Sequence, residues 1–197
     1  MSATETPEPE IPPSPPSTNA VSASEPDWTR EALVPREWNP GRRLLRTIRD
    51  YQKAIQKRGI IASLQRITAV LRHRYWSVVA GADIPLNSHI AGGLLIPHPN
   101  GIVIHPDVEI GPNCLIFQQV TLGTKDADSG VPYLEGHVDI GGGARVLGEI
   151  RIGAHAKIGA NAVVLTDIPD GATAVGIPAH VLPDEPPAPD ERSSREQ

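Results

Sequence analysis

Cysteine and aromatic residues are scarce in this 197-residue sequence, which contains one Cys, three Trp, three Tyr and one Phe. The single thiol, Cys114, excludes a disulfide framework, a Cys-rich zinc site and a CxxC redox motif, so packing or association must stabilise the fold. No run of about 18 apolar residues is present to span a membrane. The first 27 residues contain no basic start followed by an apolar stretch, so we expect no secretory signal and a cytoplasmic location.

Proline and charge divide the chain into zones. Residues 1–27 hold seven prolines and five acids but no Lys or Arg, and we expect a disordered tail because such a segment buries too little to offset its ordering entropy. Residues 28–80 have apolar residues at helical spacing, which predicts two or three amphipathic helices broken near Pro40-Gly41 and Gly59. Residues 183–197 are rich in proline and charge, which predicts a flexible C-terminal tail.

The helical segment 28–80 is strongly basic, with 12 Lys and Arg against three acids. This balance raises the hypothesis of a nucleic-acid or membrane-surface partner. Nucleic-acid modules usually add aromatic stacking or a recognisable fold to their charge. Residues 81–182 hold four Lys and Arg against ten acids, so a solvated basic face beside an acidic neighbour explains the pattern. We expect no nucleic acid and no membrane, and the basic helices remain a possible surface for another protein.

Between residues 81 and 182, small and medium apolar residues recur at every sixth position. These anchors are Ile84, Ile90, Ile96, Ile102, Val108, Cys114 and Val120, and then Val138, Ala144, Ile150, Ala156, Ala162 and Ile168. A second apolar row follows each anchor by two positions, from Leu86 and Ile104 to Val164, and glycine often comes next. The period predicts short flat strands joined by tight turns, three to a coil, stacked in a narrow prism. The alternative, an ordinary sandwich of short strands, seldom keeps one register over so many steps.

The period is interrupted between Gly123 and His137, where polar and turn-forming residues replace the apolar ones. We expect a loop over 123–137 that leaves the prism. On a fold with flat faces, a protruding loop can form the wall of a pocket. Flat faces also favour threefold association, with clefts between neighbouring subunits.

Three segments of the chain carry a family resemblance: GADIPLNSHIAGGLLIPHPNGIVIHPDVEIG, QQVTLGT and IGAHAKIGANAVVLTDIPDGATAVGIPAHVL. They resemble the serine O-acetyltransferases, a family of hexapeptide-repeat acyltransferases, over about residues 70–182. The resemblance implies a mainly β fold, with a left-handed parallel β-helix over residues 81–182 preceded by a short α-helical segment. The left hand comes from the resemblance, since the spacing does not determine it and most parallel crossovers are right-handed.

An acyl transfer from a thioester to a hydroxyl needs a base with a pKa near neutrality, and histidine suits that task. His98 stands out among the seven histidines because it occupies a second-row position between Pro97 and Pro99. The resemblance assigns the catalytic base to His98 and the carboxylate that orients its imidazole to Asp83. Such a carboxylate fixes the tautomer and stabilises the imidazolium. Without the resemblance, His98 is an ordinary surface or core residue and Asp83 a turn residue.

The resemblance further implies acetyl-CoA as the acyl donor, and the sequence contains no metal-ligand cluster, so we expect no metal. Backbone donors, a groove along the coils and basic side chains should bind the coenzyme. The expected donor-binding residues are Gly123, Thr124, Lys157, Ala160, Gly176, Pro178 and His180, with Lys125 and Arg145 as further cations. In the family the last of these motif positions is usually Arg or Lys, so the phosphate contact at His180 is weaker or comes from elsewhere.

The expected acceptor-binding residues, Pro97, Gln118 and Val131, include departures from the family. An Asp stands at the position of Pro97 in the family, and an Arg-His pair stands where this chain has Gly130 and Val131. Those charged groups suit recognition of an amino acid, because a carboxylate pairs with an ammonium and a guanidinium clamps a carboxylate. The donor side therefore matches the family better than the acceptor side.

The sequence predicts an acetyl-CoA-dependent serine O-acetyltransferase that forms O-acetylserine for cysteine biosynthesis, with His98 as general base. Two alternatives stay open, namely an O-acetyltransferase for a sugar or other small hydroxyl compound, and a non-catalytic β-helix scaffold. The family's longer helical domain, which joins two trimers, is cut here to about 50 helical residues, so the resemblance implies a homotrimer.

Overall fold

The structure is a computed structural model that describes residues 21–183. It is mainly β, with one turn of 3-10 helix at Trp28–Glu31 and two helices, α1 at Pro40–Ile55 and α2 at Ile60–Ala80. Helix α1 begins at Pro40, because a proline at the first helical position sacrifices no hydrogen bond. Asn39 caps this helix by accepting the Arg42 N–H at 3.0 Å.

The strands are two to four residues long and form three sheets. In chain order they are β1 His89–Ile90, β2 Val103–Ile104, β3 Glu109–Ile110, β4 Leu115–Ile116, β5 Thr121–Gly123, β6 Tyr133–Leu134, β7 Asp139–Ile140, β8 Arg145–Leu147, β9 Arg151–Ile152, β10 Lys157–Ile158, β11 Val163–Val164, β12 Thr173–Gly176 and β13 Ala179–Val181. Sheet I contains β1, β3, β6 and β9; sheet II contains β4, β7, β10, β12 and β13; sheet III contains β2, β5, β8 and β11. All pairs are parallel except the terminal pair β12–β13.

The chain visits sheets I, II and III in rotation, and we call one pass through all three a circuit. Val103 pairs with Thr121 and Tyr133 pairs with Arg151, each eighteen residues apart, as three strands of a six-residue period require. The inward side chains of successive circuits therefore stack, and the aliphatic core is continuous from Ile84 to Ala174. The predicted repeat thus forms three parallel sheets around one apolar core.

The phase of the repeat differs from the prediction in the first circuit. Ile90 pairs with Ile110, twenty residues away, so Ile84, Ile90 and Ile96 belong to the second row and not to the anchor row. The anchor row begins instead with Ala82, Ser88 and Leu94, all buried. Two extra residues therefore lie between Ile96 and Ile104. They widen the corner that contains His98, so His98 does not occupy the second-row position that the sequence indicated.

The loop is shorter than the predicted span 123–137. Tyr133–Leu134 already pairs with Glu109–Ile110 on one side and Arg151–Ile152 on the other, and Leu134 is fully buried. The excursion is confined to residues 124–132. The sequence missed this strand because Pro132 stands where the six-residue period, counted back from Val138, requires an apolar anchor.

Helix α1 covers the amino-terminal end of the sheets. Leu44, Leu45 and Ile48 are buried in the same cluster as the strand residues. Helix α2 packs on α1, yet most of its large apolar residues are exposed, although the sequence predicted an amphipathic helix with a buried apolar face. No helix within residues 21–183 has the length and apolarity needed to cross a bilayer.

Residues 21–31 form a segment, here called the strap, that lies along one edge of the sheets. The side chain of Asn113 accepts the Asp27 N–H at 2.7 Å and donates to the carbonyls of Ser22 and Glu25. The backbone of Ala23 lies directly against Gly136, where a Cβ atom has no room. Residues 21–27 therefore make specific contacts, whereas the sequence predicted disorder through residue 27. The rest of that tail, and residues 184–197 of the C-terminal tail, lie outside the described residues.

Candidate active site

Three edges join the three sheets, and the predicted site residues fall mainly on two of them. The His98 edge, from sheet II to sheet III, comprises residues 97–101, 117–119, 141–143 and 159–161. The loop edge, from sheet III to sheet I, comprises residues 105–107, 123–132 and 147–150. The strap edge, from sheet I to sheet II, comprises residues 92–93, 112–113, 136–137 and 154–155.

His98 is exposed at the widened corner of the first circuit. It lies between Pro97, which is exposed, and Pro99, which is buried. The Ile102 N–H donates to the Pro99 carbonyl at 3.2 Å, and the Gly101 N–H donates to Gly81 at 2.7 Å. Gly101 has a φ of 73°, a conformation that favours glycine. The HPNG sequence thus forms a fixed turn that presents an imidazole to solvent.

Asp83 lies in sheet III beside Val103, the residue that follows the His98 corner. Its N–H donates to Ile102 at 2.8 Å and its carbonyl accepts from Ile104 at 2.9 Å. Its side chain is exposed. In the described part of the chain no hydrogen bond joins this carboxylate to the His98 imidazole. The two residues are therefore brought to neighbouring positions without the predicted contact.

Further predicted residues follow His98 along the same edge. Backbone bonds of 2.9 Å connect Asn100 to Gln119, Gln118 to Gly143, and Gly142 to Asn161. Gln118 and Ala160 are exposed on this edge, one and three circuits beyond His98. Pro97, His98, Gln118 and Ala160 therefore lie in one line parallel to the stack of circuits.

The remaining donor-binding candidates on this side lie next to that line. Lys157 is exposed on the outer face of sheet II, where it pairs with Asp139 and Thr173. Val175 packs against Gly159, which brings Gly176 and Pro178, at the β12–β13 turn, to the far end of the His98 edge. His180 is exposed on β13, with its ring beside Gly176.

Gly123, Thr124 and Val131 lie on the loop edge, across sheet III from His98. Gly123 is buried at the end of β5 and its carbonyl accepts the Gly148 N–H at 2.9 Å. Thr124 is exposed at the start of the loop. Val131 packs against the core, and Gly130 approaches the side chain of Glu149. A single chain therefore does not bring these residues to the His98 edge.

Three polar residues of the His98 edge were not predicted from the sequence. Asn100 is exposed beside His98, Gln119 is exposed next to Gln118 with a φ of 59°, and Asn161 is exposed next to Ala160 with a φ of 57°. Asn or Gly at a fixed place in each repeat is typical of corner residues with a left-handed backbone conformation. This pattern indicates the corner but does not indicate a ligand contact. Their amides offer donors and acceptors to a molecule lying along the edge.

Other reactive groups do not form a site in the described residues. Burial raises the pKa of the Cys114 thiol to about 12, which agrees with packing and not with a nucleophile. Within residues 21–183, no group of three or more His, Cys, Asp or Glu side chains is arranged to hold a metal ion.

Two known proteins with sequences similar to this chain have the same description. The chain is 42% identical over 107 residues to a serine acetyltransferase of Synechococcus elongatus, covering 53% of this chain and 44% of that protein. It is 44% identical over 106 residues to a serine acetyltransferase of Helicobacter pylori, covering 53% of this chain and 62% of that protein. This chain is related to the serine acetyltransferases. No protein-family model matches it.

Solved serine acetyltransferases have the same fold. A serine acetyltransferase in complex with CoA aligns with a TM-score of 0.62 at 32% identity, covering 74% of this chain and 58% of that one. A soybean serine acetyltransferase complexed with serine aligns with a TM-score of 0.62 at 34% identity, covering 73% and 57%. The chain spans only about half to three fifths of the length of these serine acetyltransferases.

Proposed function

We propose that this chain is an acetyl-CoA-dependent O-acetyltransferase that acts in the cytoplasm and converts L-serine to O-acetylserine in cysteine biosynthesis. The observation that carries the proposal is the His98 edge, where an exposed histidine on a fixed turn begins a line of exposed polar and small residues. Solved relatives described as complexes with CoA and with serine support both substrates.

In the proposed reaction, the His98 imidazole removes the proton from the serine hydroxyl as its oxygen attacks the thioester carbonyl. A tetrahedral intermediate forms, and backbone amides of the edge stabilise its oxyanion. The C–S bond then breaks, and the imidazolium returns the proton to the CoA thiolate. The acetyl group moves directly from sulfur to oxygen, so no residue of the chain is acylated.

Asp83 is the proposed positioning residue for His98. Its carboxylate is exposed in the strand next to the His98 corner, and no hydrogen bond joins the two groups within the described residues. Hydrogen bonds between catalytic groups are often long or absent without substrate and tighten in the complex. We propose that substrate binding brings the carboxylate to the imidazole, where it stabilises the charged ring.

The donor is proposed to lie along the His98 edge with its thioester at His98. Ala160, Gly176 and Pro178 mark the other end of the line, and Lys157 is the adjoining cation suited to the phosphates of CoA. His180 stands where the family usually has Arg or Lys, and we assign it a weaker contact than Lys157.

Three copies of the chain are proposed to complete the site. The His98 edge and the loop edge border the same sheet, sheet III, so a threefold arrangement across that sheet brings one copy's loop to its neighbour's His98. Gly123, Thr124 and Val131 then contribute to the site in trans. We also propose that the circuits wind left-handed, which the family resemblance and the TM-scores of 0.62 support.

A second acceptor class is favoured by one observation. Val131 packs against the core and Gly130 lies against the side chain of Glu149, so residues 130 and 131 offer no cation to the carboxylate of an amino acid. Pro97 likewise adds none beside His98. An uncharged hydroxyl compound, such as a sugar, is the alternative acceptor.

Thiol release from acetyl-CoA, with and without L-serine, tests the proposal. The protein, His98→Ala and His89→Ala are compared, since His89 is exposed on the outer face of sheet I, away from the site. We expect serine-dependent release that falls by at least about 100-fold in His98→Ala, the lower range for loss of a general base, and is unchanged in His89→Ala.

Thiol release that requires a sugar and not serine would identify a sugar as the acceptor and leave the proposed mechanism unchanged. Equal release by the protein and His98→Ala would reject His98 as the base. Absence of both acetyl-CoA binding and turnover with any hydroxyl compound would favour the non-catalytic scaffold.

A further inference from the structure

A second pocket lies between the strap and helix α1, away from the residues of the proposed active site. It has a volume of about 470 Å³, which is within the range of pockets that hold small molecules. The strap supplies Trp28 and Glu31 to one wall, and α1 supplies Arg46, Arg49 and Lys53 to the other. We call this space the strap pocket. The proposed acetyl transfer uses none of the five residues.

The wall formed by α1 is one face of the helix. Arg46, Arg49 and Lys53 follow one another at intervals of three and four residues, so their side chains lie in one row. The Arg49 guanidinium donates to the carbonyls of Ile90 and Ala91, which places this row beside sheet I and the strap edge. The threefold association proposed above involves sheet III, so it does not cover the strap pocket.

The wall formed by the strap is held in a fixed position. Glu31 binds the Arg49 guanidinium through both carboxylate oxygens and accepts the N–H groups of Gly93 at 2.8 Å and Leu94 at 3.2 Å. The residue before Gly93 is also a glycine, and the Trp28 ring lies directly against it, where a Cβ atom has no room. The pocket is therefore preformed, and a preformed pocket binds its ligand without the cost of ordering its walls.

Trp28 gives the pocket an aromatic surface. Its ring is 56% exposed, although the Arg49 guanidinium carbon lies 5.3 Å from the ring centroid. Aromatic rings pack on one another in offset or edge-to-face arrangements, and a guanidinium also stacks on aromatic faces. A ligand with a planar ring therefore has a stacking surface in the pocket.

The charges of the pocket favour an anion, because three cations and one carboxylate line it. The carboxylate, Glu31, is paired with Arg49 at 2.8 Å, and Arg46 is paired with Asp50 at 3.1 Å. Within residues 21–183, no ion pair involves Lys53. A phosphate or carboxylate group beside Lys53 and Arg46 gains charge-assisted hydrogen bonds, which are stronger than those between neutral groups.

We propose that the strap pocket binds a small molecule that carries a planar ring and a negatively charged group, with the ring on Trp28 and the anion at Lys53 and Arg46. Nucleoside monophosphates and aromatic carboxylates both have this chemistry. The site goes beyond the proposed function, and its occupancy does not depend on acetyl transfer or on the acceptor.

Fluorine NMR of the full chain labelled with 5-fluorotryptophan tests the proposal, because each of the three tryptophans gives its own signal. Trp28 lines the strap pocket, whereas Trp38 and Trp76 contact each other with ring centroids 5.9 Å apart and serve as internal controls. The probes are AMP and sodium benzoate. We expect at least one probe to shift the Trp28 signal saturably, and neither to shift the other two signals.

The matched variants are Lys53→Gln and Lys57→Gln. Both remove one positive charge from an exposed side chain, but Lys57 lies outside the strap pocket. We expect Lys53→Gln to weaken binding of the probe by at least about tenfold, which corresponds to one hydrogen bond to a charged group, and Lys57→Gln to leave it unchanged. Lys157→Gln should also leave it unchanged, since AMP bound at the proposed donor site would depend on Lys157.

Probes that supply only half of the ligand separate the two parts of the proposal. Adenosine and inorganic phosphate should each bind at least about tenfold more weakly than AMP, and benzamide and acetate should do so relative to benzoate. Binding of AMP alone would identify a nucleoside phosphate as the ligand class, and binding of benzoate alone would identify an aromatic carboxylate.

Three results would overturn the proposal. The first is the absence of a saturable shift of the Trp28 signal with either probe at millimolar concentrations. The second is equal affinity in Lys53→Gln and Lys57→Gln. The third is binding of inorganic phosphate or acetate as tightly as the ring-bearing probe, which would leave no role for Trp28. A protein that transfers acetyl to no acceptor would leave these readouts unaffected, so this proposal and the proposed function fail separately.

Discussion

The Arg49 guanidinium is buried where α1, the strap and the first circuit meet. It binds both carboxylate oxygens of Glu31, at 3.0 and 2.8 Å, and donates to the carbonyls of Ile90 and Ala91. Glu31 in turn accepts the N–H of Gly93 at 2.8 Å. Removing one partner of a buried ion pair strongly destabilises the folded protein, because the other charge is left buried without compensation.

Glu31→Ala should therefore destabilise the protein by about 3 kcal/mol, the lower range for breaking a buried pair. Chemical denaturation followed by circular dichroism measures the free energy of unfolding. The control is Glu37→Ala, since Glu37 pairs with Arg42 on the surface and should cost less than about 1 kcal/mol. Equal losses in the two variants would show that the Glu31–Arg49 pair is not buried as described.

His137 and His155 occupy equivalent positions in successive circuits of the strap edge, with their Nδ1 atoms 2.7 Å apart. One ring must donate and the other accept, so at least one is neutral. Burial is the main cause that lowers the pKa of His137; Asp139 raises it, and His155, Arg30 and Lys157 lower it further. The folded protein therefore binds a proton at this site less readily than the unfolded chain.

The free energy of unfolding should decrease as the pH drops below about 6.5, the ordinary pKa of histidine, and then through the lower pKa of His137 in the folded protein. Denaturation at about pH 7.5 and about pH 5 measures the fall. His137→Asn should make it smaller, because Asn tolerates the φ of 55° and carries no proton to gain. His89→Asn, on the exposed face of sheet I, should leave it unchanged. A fall that His137→Asn does not alter would contradict the assignment.

The strap is an element that the sequence could not predict. Its docking depends on the buried side chain of Asn113 and on the space above Gly136, two distant corner residues. The six-residue period, by contrast, predicted the three sheets, because each strand repeats the same local pattern. The phase shift before Ile104 escaped notice because Leu94 and Ile96 are both apolar and fit either row.

Asn113→Gly should release the strap while keeping the corner, since glycine retains the φ of 62° and removes only the amide side chain. We expect faster hydrogen exchange and proteolysis confined to residues 21–31. Asn161→Gly is the matched control, because Asn161 has a φ of 57° on the His98 edge, away from the strap. Unchanged exchange in Asn113→Gly would mean that Glu31, through Arg49 and Gly93, holds the segment without Asn113.

At the scale of the whole molecule, the sequence named candidate site residues but did not determine how they are arranged. Pro97, His98, Gln118 and Ala160 fall on one edge because six-residue repeats place equivalent positions in line. The sequence did not show that Thr124 lies on a different edge from His98. A repeat period gives the order of the three sheets around the stack, but it does not show which surfaces meet between copies of the chain. The absence of an Asp83–His98 bond reflects side-chain geometry, which no spacing encodes.

A stack of circuits is stabilised mainly by contacts between neighbours, so a defect at one end should remain local. Helix α1 covers the first circuit through Ile48, which is fully buried. Ile48→Ala should lower the free energy of unfolding by about 2–5 kcal/mol and speed hydrogen exchange most in the first circuit, at residues 89–104, with little effect on β10 and β11. Ile55→Ala, at a half-exposed position of the same helix, should change neither. Uniform acceleration across all strands would instead mean that the helices and the sheets unfold as a single cooperative unit.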